Sequence, residues 1–246
     1  MMVTSSTPTK QLTIITGCIF IILLLTAVSF GSSPGMLHFF GLTSLNAEAY
    51  FISRISYWIC LSLLWLYCVI AEKQKLLLWS EKKYSLKFFA SSIFVIFLVL
   101  LGGNILIALM VSLFHLSKTS ESLSEIIRIL SGNMFLLLLT VITAGVVEEL
   151  IFRGYLLPRF AIIFKSRFWA IGVSSLIFGL MHYKYGTLFN VVGPVFIGVV
   201  FAWYYWKYRN IKVVIIAHIL WDVMAIYISI AARSHPVSHQ LHGTFF

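Results

Sequence analysis

The sequence predicts an all-α fold, a polytopic bundle of transmembrane helices, and three observations predict it. The 246-residue chain is 60% hydrophobic and 11% charged, whereas a soluble domain carries about 25% charged residues. Its apolar stretches run for about 18–25 residues without polar alternation, the length of a spanning helix rather than of a barrel strand of about 10. Only eight acidic residues occur, and three of them, Glu148, Glu149 and Asp222, lie inside apolar runs. A carboxyl in hydrocarbon costs roughly 3 kcal/mol on insertion scales, so such groups are rare and mark working sites.

Seven spans follow from the apolar runs, at about 12–30, 50–71, 88–114, 133–157, 168–184, 187–206 and 211–230. The first is read as a retained helix rather than a cleaved signal peptide, because its apolar core is long for one. The stretch from Lys73 to Phe89, with Trp79 and Tyr84, has the composition of an interfacial amphipathic segment or of a basic loop. The fifth span is the shortest and carries Gly179 and His182 close to Gly186. Pro194 is the one proline placed inside a span.

Lysine and arginine placement sets the orientation. Lys10, the loop holding Lys73, Lys75, Lys82, Lys83 and Lys87, the group Arg159, Lys165 and Arg167, and the group Lys207, Arg209 and Lys212 supply twelve basic residues to alternate connections. The opposite connections and tail hold only Lys118, Arg128, Lys184 and Arg233. The N-terminus is therefore expected in the cytoplasm and the C-terminus outside. Arg54 sits near an outer end, where snorkelling accounts for it. The net charge of +10 reads as basic loops facing anionic lipid, with the bilayer as partner and no nucleic acid. Cys18, Cys60 and Cys68 fall in apolar spans and act as small hydrophobes.

Three units are expected: 1–132, three membrane helices with their loops; 133–230, a catalytic membrane core of four spans; and 231–246, a tail. The tail's His235, His239 and His242 have helical spacing, but they stand beside Pro236 and are assigned no site.

Within the core, Glu149 and Arg153 are i,i+4 with the acid first, so one helix face holds both. Glu148 is rotated by about 100° and is free to face other helices. His218 and Asp222 are again i,i+4, and His182 follows Phe178 by four. A carboxylate beside a histidine in a dry pocket can hold and deprotonate a water. A second histidine with a hydrogen-bonding partner can stabilise an oxyanion. The inventory fits peptide hydrolysis by an activated water, and it equally fits a catalytic zinc held by Glu148, His182 and His218. No H-E-x-x-H, no G-x-S-x-G and no second aspartate is present, so zincin, serine and aspartyl arrangements are absent.

These residues resemble a known pattern. EELIFRG (Glu148–Gly154) is similar to the E-E-x-x-x-R motif of the CPBP family, the CAAX-protease and bacteriocin-processing membrane enzymes also called Abi. FGLMH (Phe178–His182) resembles its F-x-x-x-H motif, and HILWD (His218–Asp222) its H-x-x-x-N/D motif. The resemblance implies an all-helical intramembrane endopeptidase with its pocket toward the cytoplasm, in a bacterial inner membrane, acting on a membrane-associated protein or peptide. It assigns Glu148 and His182 to water activation and His218 and Asp222 to the oxyanion, with Glu149 and Arg153 completing the site. Asp222 stands where some relatives have Asn, and it donates to an oxyanion only when protonated. Family members are classed both as glutamate-dependent enzymes and as metalloproteases, so a divalent metal such as zinc stays open. Two other functions compete: a non-catalytic bacteriocin-immunity or scaffold protein of the same fold, and a transporter, which would favour inverted repeats.

Overall fold

The computed structural model describes residues 8–31, 45–116 and 120–234. Among them the secondary structure is all helical, with eight helices and no strand, and 73–85 form an irregular connection. They are α1 (Pro8–Gly31), α2 (Ala47–Tyr67, continued by a wide turn at Cys68–Glu72), α3 (Leu86–Leu113), α4 (Glu121–Ser131), α5 (Met134–Phe164), α6 (Arg167–Leu180), α7 (Phe189–Tyr208) and α8 (Ile211–Ser234). The tail histidines His235, His239 and His242 lie outside the described residues.

Local chemistry sets most of the boundaries. Asn46, Ser85, Ser120, Asn133 and Ser166 each accept the backbone N–H three residues on, capping α2 to α6 in turn. Lys73, Lys165 and Arg209 take the left-handed conformation that closes α2, α5 and α7.

Six helices, α1, α2, α3, α5, α7 and α8, are long and apolar enough to cross a membrane. The seventh expected span is α6, which has 14 residues and covers about 21 Å at 1.5 Å per residue, short of the roughly 30 Å hydrocarbon core. It ends at Leu180, and a turn through His182 to Gly186 (φ 77°) leads into α7. Two elements depart further from expectation. α5 continues past Pro158 to Phe164 because it runs through wide i→i+5 turns at Thr143–Glu148 and Leu150–Leu156, just ahead of the proline that lacks an N–H. The connection ahead of it folds as α4, an amphipathic helix that buries Ile126, Ile127 and Leu130.

α6 and α7 lie against each other closely enough that a Cβ on Gly179 would meet the Val191 carbonyl oxygen at 2.8 Å and collide with the Val195 side chain. The main core joins α1, α2, α3 and α5 to α8, and a smaller one gathers Tyr50, Leu136 and Ile226 around α4.

The two ends of the bundle differ. The connections after α2 and α7 meet at one end, where Lys82 N–H donates to the Arg209 carbonyl at 2.8 Å and Ile211 N–H donates to Glu81 Oε2 at 2.6 Å. This end gathers the Lys-rich connections. α4 and the turn after α6 close the other, where Ser120 Oγ donates to the Tyr185 carbonyl.

Candidate active site

Helices α5 and α8, with α6 and the turn after it, bring the motif residues together through their registers. Arg153 Nη1 donates to Glu149 Oε1 at 2.7 Å, the contact that i,i+4 spacing favours, although the intervening backbone is a wide turn. Both side chains are buried, Glu149 at 0% and Arg153 at 1% exposure. The guanidinium lies over the rings of Phe178 (4.5 Å) and Phe201 (5.4 Å), and its Nη2 donates to the Gly198 carbonyl at 3.3 Å. Glu149 has a second task that spacing does not reveal. The same Oε1 receives His218 Nδ1 at 2.8 Å. A carboxylate oxygen accepts, so Nδ1 carries the proton and Glu149 fixes the ring's tautomer and direction.

The far nitrogen of that ring, Nε2, lies 3.7 Å from Asp222 Oδ2, one turn along α8. His182 stands just past α6, and its Nδ1 contacts the Phe178 carbonyl at 2.9 Å. A carbonyl accepts only, so Nδ1 is the donor and neutral His182 keeps the Nε2 lone pair for another partner.

Glu148, His182, His218 and Asp222 line one cavity of about 120 Å³. Glu149 and Arg153 are absent from its wall and lie behind it. The six motif residues therefore form two layers, four at the cavity and a buried pair supporting His218. Apolar side chains of α4 and α8, among them Leu123, Ile127 and Ile226, line the rest with Trp221.

Polar lining residues also lie outside the motifs: Tyr50 and Arg54 on α2, Asn104 on α3, Thr140 on α5, Tyr185 on the turn after α6, and Asn190 at the start of α7. Arg54 was expected to snorkel, yet it is 5% exposed and borders the cavity. Its signal in the sequence is a charge within an apolar run, the same signal that marks Glu148.

Among the described residues no group of three His, Cys, Asp or Glu is arranged to hold a metal. Both histidines commit Nδ1, to the Phe178 carbonyl and to Glu149, which leaves Nε2 of each ring for a further partner. The expected cytoplasmic entrance does not follow from the geometry. The cavity is bordered by the starts of α2 and α7, by α4 and by the turn after α6, which stand at the end opposite the Lys-rich connections.

The comparison with known families bears on this core. Residues 130–224 match the family model described as type II CAAX prenyl endopeptidase Rce1-like. The matched segment contains all three motifs, from Glu148 to Asp222, and so the two acids and two histidines of the cavity wall. Arg54 precedes it. At family level it supports an intramembrane endopeptidase, in agreement with the six helices able to span a membrane. Neither the curated proteins nor the solved structures yield a match.

Proposed function

We propose that the protein is an intramembrane endopeptidase that hydrolyses a peptide bond of a membrane-associated protein or peptide by direct attack of water. One observation carries this: Glu148, His182, His218 and Asp222, from three separate motifs, border a single cavity large enough for water and a segment of peptide. Glu148 takes the proton of a water held between its carboxylate and His182 Nε2. As the scissile carbonyl becomes tetrahedral, its oxygen gains negative charge, and His218 as the imidazolium, with Nδ1–H on Glu149, donates to it from Nε2. Glu149 keeps the Nδ1 side of His218 occupied, and Arg153 keeps Glu149 in place. Asp222, near Nε2, holds that edge of the ring, or donates to the oxyanion in its protonated form. The proton on Glu148 passes to the leaving amine as the C–N bond breaks. Substrate reaches the cavity from the α4 end, which the distribution of basic residues puts on the non-cytoplasmic side.

The test uses purified protein in detergent with a membrane-peptide library, assayed as wild type, Glu148→Gln and His182→Ala, with and without a chelator. Cleavage by wild type alone, unchanged by chelation, is expected. Equal cleavage by all three rejects the mechanism, and loss on chelation restored by zinc transfers the chemistry to a metal. The side of access is read separately. A cysteine at Leu123 in a variant without Cys18, Cys60 and Cys68 should react with an impermeant maleimide in intact cells, and one at Lys82 should not. The reverse pattern inverts the topology.

A further inference from the structure

We infer that Arg54 forms a subsite for a substrate carboxylate next to the proposed catalytic residues. Three buried arginines occupy this molecule, and two hold a glutamate: Arg153 with Glu149 at 2.7 Å and Arg159 with Glu72 at 2.6 Å. Arg54 has no carboxylate within ion-pairing distance among the described residues. Its guanidinium carbon lies 4.8 Å from the centre of each of the Tyr50 and Tyr57 rings, which clamp it. Nη2 donates to Ser53 Oγ at 3.1 Å, and Nε is buried with no partner. A buried cation whose donors are left open is costly, and an incoming anion removes that cost.

Its position says where the anion comes from. Arg54 lines the main cavity with Glu148, His182, His218 and Asp222, and also a small annex of about 20 Å³ shared with Glu148, His182 and Lys184. The annex holds about one water-sized group, and it carries a second cation on its wall. A planar carboxylate matches the guanidinium fork in shape as well as charge. One side of the cavity is apolar, formed by Leu123, Ile126, Ile127 and Leu130 of α4. The ligand is thus an apolar peptide presenting one carboxylate near the bond to be cut, supplied by a free C-terminus or by an Asp or Glu side chain. This rests on the endopeptidase proposal for turnover but not for binding.

The test is therefore a binding measurement made on uncut peptide. Purified Glu148→Gln protein, immobilised in detergent, is offered three pools of random apolar decapeptides: free C-terminal acids, C-terminal amides, and amides carrying one internal Asp. Retention is read by mass spectrometry. One or both carboxylate-bearing pools should exceed the plain amides about 10- to 100-fold, and which one does identifies the source. Adding Arg54→Gln should bring the pools within about threefold of each other, whereas Arg54→Lys should keep part of the preference. Equal retention of all three, nil retention included, overturns the inference, as does a preference that survives Arg54→Gln. If Arg54→Gln fails to fold, the pool comparison and Arg54→Lys decide. Wild-type cleavage measured in parallel separates the two proposals: intact pool discrimination without cleavage leaves the subsite standing and removes the endopeptidase, and cleavage of all pools alike does the opposite.

Discussion

The protein buries two glutamate–arginine pairs in its bundle, and they are built differently. At the Lys-rich end, Arg159 Nη2 donates to Glu72 Oε2 at 2.6 Å and its Nε donates to the same oxygen at 3.2 Å, while Tyr155 Oη donates to Glu72 Oε1 at 2.6 Å. The remaining donors of Arg159 reach the carbonyls of Leu76 (2.8 Å) and Lys75 (3.1 Å), and its guanidinium lies 3.8 Å from the Tyr155 ring centre. Each ionised group there is satisfied. In the site, Glu149 Oε2 and Arg153 Nε have no partner, one carboxylate oxygen serves both Arg153 and His218, and a cavity begins beside that histidine. A closed pair fixes the wide turn at Cys68–Glu72 against α5. An open pair shares one carboxylate oxygen between Arg153 and His218 at the edge of the cavity. Burial and ion pairing are common to both, so neither feature by itself marks function; unused hydrogen-bonding capacity next to a cavity does.

The sharpest way to break this comparison is to remove one group from each region and read two quantities. Glu148→Gln should lower turnover by about 10²- to 10⁴-fold, the scale of a lost general base, with folded yield unchanged. Arg159→Met should do the reverse, destabilising the protein by about 3–5 kcal/mol through the buried charge left on Glu72, with little change in turnover per folded molecule. Thermal unfolding in detergent and peptide cleavage measured on the same preparations supply both numbers. If Arg159→Met lost turnover at full stability, the closed pair would belong to the active site and the distinction would collapse.

Glu149→Gln tests the open pair from within. The amide keeps the size of the side chain but removes one charge-assisted contact to His218, a loss of about 10- to 100-fold in turnover. Arg153, left without its counter-charge, should also reduce stability, so this variant moves both readouts where Glu148→Gln moves one. An effect confined to stability would make Glu149 a structural partner of Arg153 and leave His218 oriented by something else.

These contrasts also show what was legible in the sequence. A charge inside an apolar run is visible in one dimension, which is why Glu148, Glu149, His218 and Asp222 stood out and why the all-helical membrane fold followed from composition. The Glu149–Arg153 contact was legible because its partners are four residues apart. The Glu72–Arg159 pair was not, since 87 positions separate the two and both fall at the ends of spans, where a charge looks like loop. Arg159 in particular was counted among the residues following the fourth span, yet it is 0% exposed within α5. Which elements border the cavity was hidden for a related reason. Depth along one helix places His218 but says nothing of which neighbouring elements stand aside. α4 is the opposite case, a missed element with a readable signal: Ile126, Ile127 and Leu130 repeat on one face of a segment opened by Ser120 and an acidic first turn.

α4 supplies the last and smallest prediction. Its N-terminal Ser120 makes two contacts with one hydroxyl: Oγ accepts Leu123 N–H at 3.1 Å, capping the helix, and donates to the Tyr185 carbonyl on the turn that carries His182. The closed region at the Lys-rich end is tied down by many such bonds, whereas this side of the cavity depends on few. Ser120→Ala removes both contacts and should cost about 1 kcal/mol, the usual worth of a helix cap. That corresponds to about a fivefold rise in opening of the local structure. Amide exchange across Glu121–Ser131 should rise by that factor while exchange in the segment Cys68–Glu72 stays as it was. Turnover should change by less than about fivefold, since α4 borders the cavity with apolar side chains and contributes no acid or histidine to it. A loss as large as that of Glu148→Gln would mean that α4 holds His182 in register through Tyr185, and the open region would then extend to the helix that covers it.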